Sequence, residues 1–262
     1  MRTAIAIACA VALCAQAETI QEKGKRIVNE AVEALGGQNF LTMNDRVETG
    51  RAYSFYREKL SGLSIARFST RYLNRVENPG KTLAVLVRQD FGKKFDYGLL
   101  FQQDDAYDVT FRGARPLADD RFQRYKDTTI TDVFYILRER LKEPGLIMES
   151  RAADVWNNKP VEIVDITDAN DQVVTIYFHQ STKLPVREIV VRLDPKTRER
   201  NEEITIYDKF RDVNGVQWPY SVERERNGEK IYQMFSDSVE INKSLPDTTF
   251  NLPTGIKKLK PE

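Results

Sequence analysis

The stretch EEITIYDKFRDVNGVQWPYSVERERNGEKIYQMFSDSVEI, residues 202–241, decides the fold. It reads as three strand segments, Glu202 to Arg211, Val216 to Arg226 and Lys230 to Ile241. Asn214-Gly215 and Asn227-Gly228 join them. Asn-Gly is the strongest short hairpin signal, because both residues accept the positive φ of a type I′ turn. Strands joined by turns this tight pair antiparallel with their neighbours.

The same rhythm runs upstream. Leu146 to Val155, Pro160 to Thr167, Gln172 to Gln180 and Pro185 to Leu193 are strand candidates about ten residues apart, separated by Asn157-Asn158, 168–171, 181–183 and 194–197. Further back, Val47, Thr49, Arg51, Tyr53 and Phe55 alternate with a second set of residues, the period of a strand. Leu63 to Leu73, Thr82 to Gln89, Phe95 to Phe101 and Tyr107 to Phe111 continue the series. The reading is about eleven meandering strands with two or three helices, a mainly β (α+β) domain.

Two segments carry helical spacing. Ile20, Ile27, Ala31, Ala34 and Leu35 lie on one stripe that Gly36-Gly37 ends. Ile130, Val133, Phe134, Leu137 and Leu141 predict a helix over 129–142, with Asp127 or Thr128 at its cap and Pro144-Gly145 beyond it. The polar run 117–126 fits a helix or a loop.

A long antiparallel sheet twists, and a twisted sheet of this size curls. Its concave face must be covered. Val161 and Ile163 alternate with Val164 and Ile166, so this strand is apolar on both faces, unlike a sheet with one solvated side. Two amphipathic helices are a thin cover for so large a sheet. Pattern alone leaves the concave face open to two readings, a filled core or an apolar cavity.

Composition removes several function classes. With 40 Lys+Arg against 39 Asp+Glu, the chain lacks the cationic surplus of a generic nucleic-acid binder. A hydrophobic fraction of 41% supports a real core. One His and two Cys leave little for a His- or thiolate-based metal site. Residues 1–17 read as a secretory signal peptide: Arg2, an apolar run to Ala15, then Ala15-Gln16-Ala17 as the cleavage pattern. Both cysteines, Cys9 and Cys14, fall within it. The expected mature chain, 18–262, is a single cysteine-free domain. A bacterial periplasm suits an exported protein held by its core alone.

The search for chemistry comes back nearly empty. There is no G-x-S-x-G, G-x-G-x-x-G, P-loop or H-E-x-x-H. His179 would have to carry any Ser-His-Asp arrangement, and a structural role at a strand end is the simpler reading. Asp165, Asp168, Asn170 and Asp171 lack the Gly and terminal Glu of a calcium loop and read as a turn. Glu223 and Glu225 read as a solvated strand face with Arg224, Arg226 and Lys230 as surface partners, not as paired glycosidase carboxylates. Arg112 to Arg124 is locally basic but interrupted by Asp119 and Asp120, as a solvated loop would be.

The C-terminal third carries a family resemblance. It lies in 212–219 (DVNGVQWP), 221–228 (SVERERNG), 235–242 (FSDSVEIN) and 245–253 (LPDTTFNLP), taken as an ordered set. In this order they resemble the outer-membrane lipoprotein-sorting (LolA-like) proteins and their lipid-carrier relatives. The leader, the first helix ending in Gly-Gly and the mid-chain helix match that family's layout. The resemblance implies a half-open antiparallel β-barrel with covering helices, an apolar cavity for acyl chains and a carrier rather than an enzyme. It leaves Phe250 free to plug the barrel end.

The expected function is therefore a periplasmic carrier or chaperone for the acyl chains of a lipoprotein or lipid. It would need no cofactor and no nucleic acid, and would exchange cargo with inner- or outer-membrane donor and acceptor proteins. Burying a twelve-carbon chain at ~0.8 kcal/mol per CH₂ gives on the order of 10 kcal/mol before ordering costs. Alternation and helix spacing place Phe95, Tyr97, Leu99, Phe101, Ile130, Phe134, Leu137, Tyr177 and Trp218 along the groove. Two rivals remain: a non-enzymatic periplasmic interaction or regulatory domain on the same fold, and a hydrolase built on His179.

Overall fold

The computed structural model describes residues 18–73, 77–194 and 197–261. The expected signal peptide and its cleavage site lie outside the described residues.

Helix α1 (Ile20–Leu35) begins with a capping box. The Thr19 side chain accepts from the Glu22 N–H, and the Glu22 carboxylate accepts from the Thr19 N–H. Gly36, at φ 125°, ends the helix in a conformation that glycine adopts readily. Ile27, Val28, Ala31, Val32 and Leu35 are buried on one face. A short helix, α2 (Gln38–Leu41), follows and buries Phe40.

The strands are β1 (Asp45–Tyr56), β2 (Lys59–Tyr72), β3 (Val85–Phe91), β4 (Tyr97–Phe101), β5 (Ala106–Thr110), β6 (Gly113–Pro116), β7 (Ile147–Ser150), β8 (Asp154–Trp156), β9 (Lys159–Thr167), β10 (Val173–His179), β11 (Pro185–Leu193), β12 (Arg200–Val213), β13 (Val216–Arg226) and β14 (Glu229–Ile241). They form one antiparallel sheet in the order β6-β5-β4-β3-β2-β1-β14-β13-β12-β11-β10-β9-β7, with β8 beside β9. The joint between the N- and C-terminal halves is β1 on β14, from Arg46 opposite Ile241 to Ser54 opposite Tyr232. The end strands β6 and β7 do not pair with each other among the described residues, so the barrel is open.

Fourteen strands stand where about eleven were expected: all twelve segments singled out contain a strand, and two more are added. The expected strand 146–155 breaks into β7 and β8, and 113–116, read as part of a loop, is the edge strand β6. Both Asn-Gly hairpins form, with φ of 53° and 78° at Asn214-Gly215 and 51° and 80° at Asn227-Gly228. Arg57-Glu58 makes the β1–β2 turn with φ of 49° and 61°, though neither residue favours that region.

The mid-chain helix is built differently from the expectation. Helix α3 (Asp119–Thr131) occupies the polar run, and the backbone turns extended at Asp132 (φ −62°, ψ 133°). A new helical start follows, α4 (Val133–Tyr135), continued by a π-helical turn, Ile136–Arg140. Asp132 is the cap, not Asp127 or Thr128. Its Oδ1 accepts from the N–H groups of Phe134 and Tyr135 at 3.0 and 3.2 Å, which ends one helix and starts the next.

The core lies on the concave side. Residues of α1 and of the segment from Val133 to Leu137 pack there against the inward faces of β9 to β14. On the opposite face, the C-terminal segment straps across β2 to β6. Leu252 and Ile256 cover Leu100, Val109 and Ala114, and the Leu259 N–H donates to the Ala114 carbonyl at 2.8 Å. Phe250 belongs to this strap: it is buried beneath the Arg71 guanidinium, 4.8 Å from the ring centroid. It packs against β2 rather than plugging the barrel end, because Arg71 projects from the face opposite Thr70 and Tyr72.

Candidate functional site

The concave face is filled only over its β9-side half. Between α3, α4 and the inward faces of β1 to β3 and β12 to β14 lies a cavity of about 330 Å³. Phe68 and Tyr72 from β2, Val85, Val87 and Phe91 from β3, and Met234 from β14 form apolar wall. Phe134 and Trp218 close one side, with ring centroids 4.8 Å apart, and Phe134 meets Tyr207 edge-on at 5.1 Å. Val85 and Val87 on β3 are short, and α3 with the three-residue α4 does not fill the space in front of them.

A band of polar groups crosses this wall. The Arg46 guanidinium stacks 3.8 Å from the Trp218 ring centroid and lies 3.8 Å from Glu48. Glu48 is buried and accepts from the Ser236 hydroxyl. The buried Glu188 carboxylate accepts from the Val133 N–H at 2.8 Å and the Tyr207 hydroxyl at 2.9 Å. Burial, reinforced by the neighbouring Asp132 charge, pushes the Glu188 carboxyl up to about 8. Burial also raises Asp132, against the opposing pull of Arg224. Burial and the Asp132 charge both favour the neutral form of the Glu188 carboxyl. Arg224 projects into the cavity and makes no hydrogen bond or ion pair among the described residues; its Nε is buried.

Residues singled out for other chemistry have structural partners. His179 Nδ1 accepts from the N–H groups of Ser181 and Thr182, both at 3.2 Å, and caps the β10–β11 turn. Asp168 accepts from Asn170 and Gln172 N–H groups and pairs with Arg140 at 3.0 Å. Glu223 pairs with Lys230 at 2.6 Å, as a strand face would. Its neighbour Arg224 departs from that reading, because the strand's alternation turns it inward.

No protein-family model and no curated protein matches the chain. Solved structures do. An outer membrane lipoprotein-sorting protein domain from Vibrio parahaemolyticus superposes with a TM-score of 0.58 at 11% identity, covering 88% of this chain and 97% of that one. A DUF1329 family protein from Desulfovibrio piger gives 0.60 at 12%, covering 87% and 97%. A LolA superfamily protein from Nitrosomonas europaea gives 0.53 at 11%, covering 87% and 97%. The fold is LolA-like.

Of the nine residues expected along the groove, Phe134 and Trp218 line the cavity of this LolA-like fold. Tyr97, Leu99 and Phe101 stand on the same sheet face as the lining residues Phe91, Gln89 and Val87, their register partners, but one strand further out. Tyr125 of α3 stacks on Phe101 at 3.6 Å and separates it from the hollow. Ile130 packs near Tyr135 and Val85 in a side cluster, and Leu137 is wholly buried in the main core. Tyr177 faces outward, against Val161 and Ile163. Phe95 sits in the β3–β4 turn at φ 52°, under Arg67.

The sequence marks only part of the polar lining. Once Trp218 faces inward, a period of two carries Val222 and Arg224 to the same face. Nothing local in the sequence marks the β1 pair Arg46 and Glu48 for the cavity wall; the pairing of β1 with β14 places them there.

Proposed function

We propose that this protein is a periplasmic carrier that shelters an acyl chain in the cavity between α3 and the sheet. The observation that carries the reading is the unfilled, mostly apolar hollow of about 330 Å³ under a two-piece helical cover. That volume lies at the lower end of the roughly 300–1,000 Å³ range of small-molecule pockets, which suits a single chain rather than several. The N-terminal leader pattern supports export. Among the described residues, no helix is long and apolar enough to cross a membrane. Cargo transfer needs no chemical step, which agrees with the lack of catalytic motifs. The LolA-like fold supports a lipid or lipoprotein as the cargo and membrane-bound donors and acceptors as its partners.

Native mass spectrometry of protein purified from its own cell envelope tests this. The expected spectrum shows a population carrying one acyl-bearing molecule, which is displaced by an added fluorescent fatty-acid probe. Protein with no such mass that also leaves the probe unbound overturns the carrier reading.

A further inference from the structure

Arg224 stands at the junction of two hollows. On one side is the chain-sized cavity. On the other is a smaller pocket of about 120 Å³ between α3 and β11 to β14; Thr128 and Arg224 line both. The small pocket is cationic. Arg124, Arg192 and Arg226 converge on a single carboxylate, Glu203, at 3.2, 3.4 and 2.9 Å. One carboxylate does not neutralise three guanidiniums. Arg224 adds a fourth cation to the wall, and Glu225 is the remaining anion there. Glu188, also in this wall, is pushed toward its neutral form by burial and by the neighbouring Asp132.

Arg224 makes no hydrogen bond or ion pair with a protein anion among the described residues; Asp132 and Glu188 act on it only through space. Asp132 is engaged by two backbone N–H groups, Glu188 by Val133 and Tyr207, and Glu48 by Ser236 and Arg46. Tyr232 offers only the edge of its electrostatic reach, with the Arg224 guanidinium carbon 5.8 Å from its ring centroid. A guanidinium stays protonated in proteins and is costly to bury without a counter-charge. Its planar fork suits carboxylate and phosphate oxygens.

We propose that the guest is a single-chain amphiphile with an anionic head, its chain in the large cavity and its carboxylate or phosphomonoester on Arg224 at the mouth of the small pocket. This rests on the carrier reading and narrows its cargo. The arrangement separates greasy and charged halves of one molecule across one residue. A neutral head of the same size would leave the guanidinium as unpaired as it is now.

The test compares dodecanoate, dodecyl phosphate and dodecanol by calorimetry at pH 7 and low salt, with inorganic phosphate as a head-only control. The expected wild-type result is at least tenfold tighter binding of one or both anions than of dodecanol; which anion leads identifies the head. Weak or absent binding of phosphate alone is expected, since the chain supplies much of the affinity. In Arg224→Met the preference for anion over alcohol collapses toward unity, and in Arg224→Lys it is largely kept. Equal binding of anions and alcohol by the wild type overturns the head-group assignment and leaves the carrier intact. So does a preference that survives in a folded Arg224→Met. Failure of all three amphiphiles to bind overturns both. Should Arg224→Met not fold, the wild-type ratio and its loss on raising the salt decide the matter.

Discussion

Glu188 reaches from β11 to the backbone N–H of Val133, 2.8 Å away, at the point where α3 ends and α4 begins. A side chain thus holds the break in the helical cover closed against the sheet. Because its carboxyl is raised to about 8 from an ordinary value of 4.5, the folded state holds a proton that the unfolded chain releases. The associated stability is full below about pH 4.5 and is lost as pH rises through about 8. Glu188→Gln keeps the oxygen acceptor and removes the titration. Urea unfolding at pH 5 and pH 8.5 should show the wild type losing on the order of a few kcal/mol more than the variant across that interval. Equal losses would mean that the carboxyl is not held neutral.

Gly24 sits in the middle of α1, where alanine ordinarily stabilises a helix by about 1 kcal/mol. A Cβ there would lie 2.6 Å from the Met148 carbonyl oxygen of β7. Backbone cannot swing aside as a flexible side chain can. Gly24→Ala is therefore expected to destabilise by about 1–3 kcal/mol despite the better propensity. A higher urea midpoint for the variant would show that α1 and β7 are not packed this closely.

The parts of this fold that local chemistry specifies are legible in the sequence. Asn214-Gly215 and Asn227-Gly228 are hairpins because of what those residues allow, and Gly36 stops α1 for the same reason. Arg57-Glu58 carries no such mark, so the turn itself is hidden and the sequence shows β2 only from Leu63, four residues after it begins. The break at Asp132 is hidden too. The apolar stripe from Ile130 to Leu141 runs through it unbroken, and it is the capping carboxylate with the distant Glu188 that favours two short helices over one. The cavity was legible only as surplus sheet. Its polar wall depends on β1 meeting β14, a pairing of segments nearly two hundred residues apart that alternation cannot supply.

Val222 lines the cavity on β13, two residues before Arg224, and is half-buried. Val222→Trp puts a large ring into space that is empty, so its cost to the fold should stay within about 1–2 kcal/mol. Uptake of a fluorescent acyl probe should fall at least tenfold, because ring and chain compete for the same volume. Fluorescence titration and a urea midpoint on the same preparation check both halves. Undiminished uptake by the folded variant would place the guest elsewhere.

Asp45 ties the C-terminal strap to the start of β1. Its buried carboxylate accepts from the Lys243 N–H at 2.7 Å and the Leu245 N–H at 3.0 Å, while Asn242 accepts from the Asn44 N–H at 2.7 Å. Removing the carboxylate leaves two backbone donors without their acceptor, at a cost of about 2–4 kcal/mol. The loss should be local before it is global, because the strap is a single irregular segment whose apolar anchors on the outer face are Phe250, Leu252 and Ile256. In Asp45→Ala, a protease under native conditions should cut within residues 242–261 well before it touches the sheet, with mass spectrometry locating the site. Cutting first in the β1–β2 hairpin or in α3 would show that the strap is anchored by something other than Asp45.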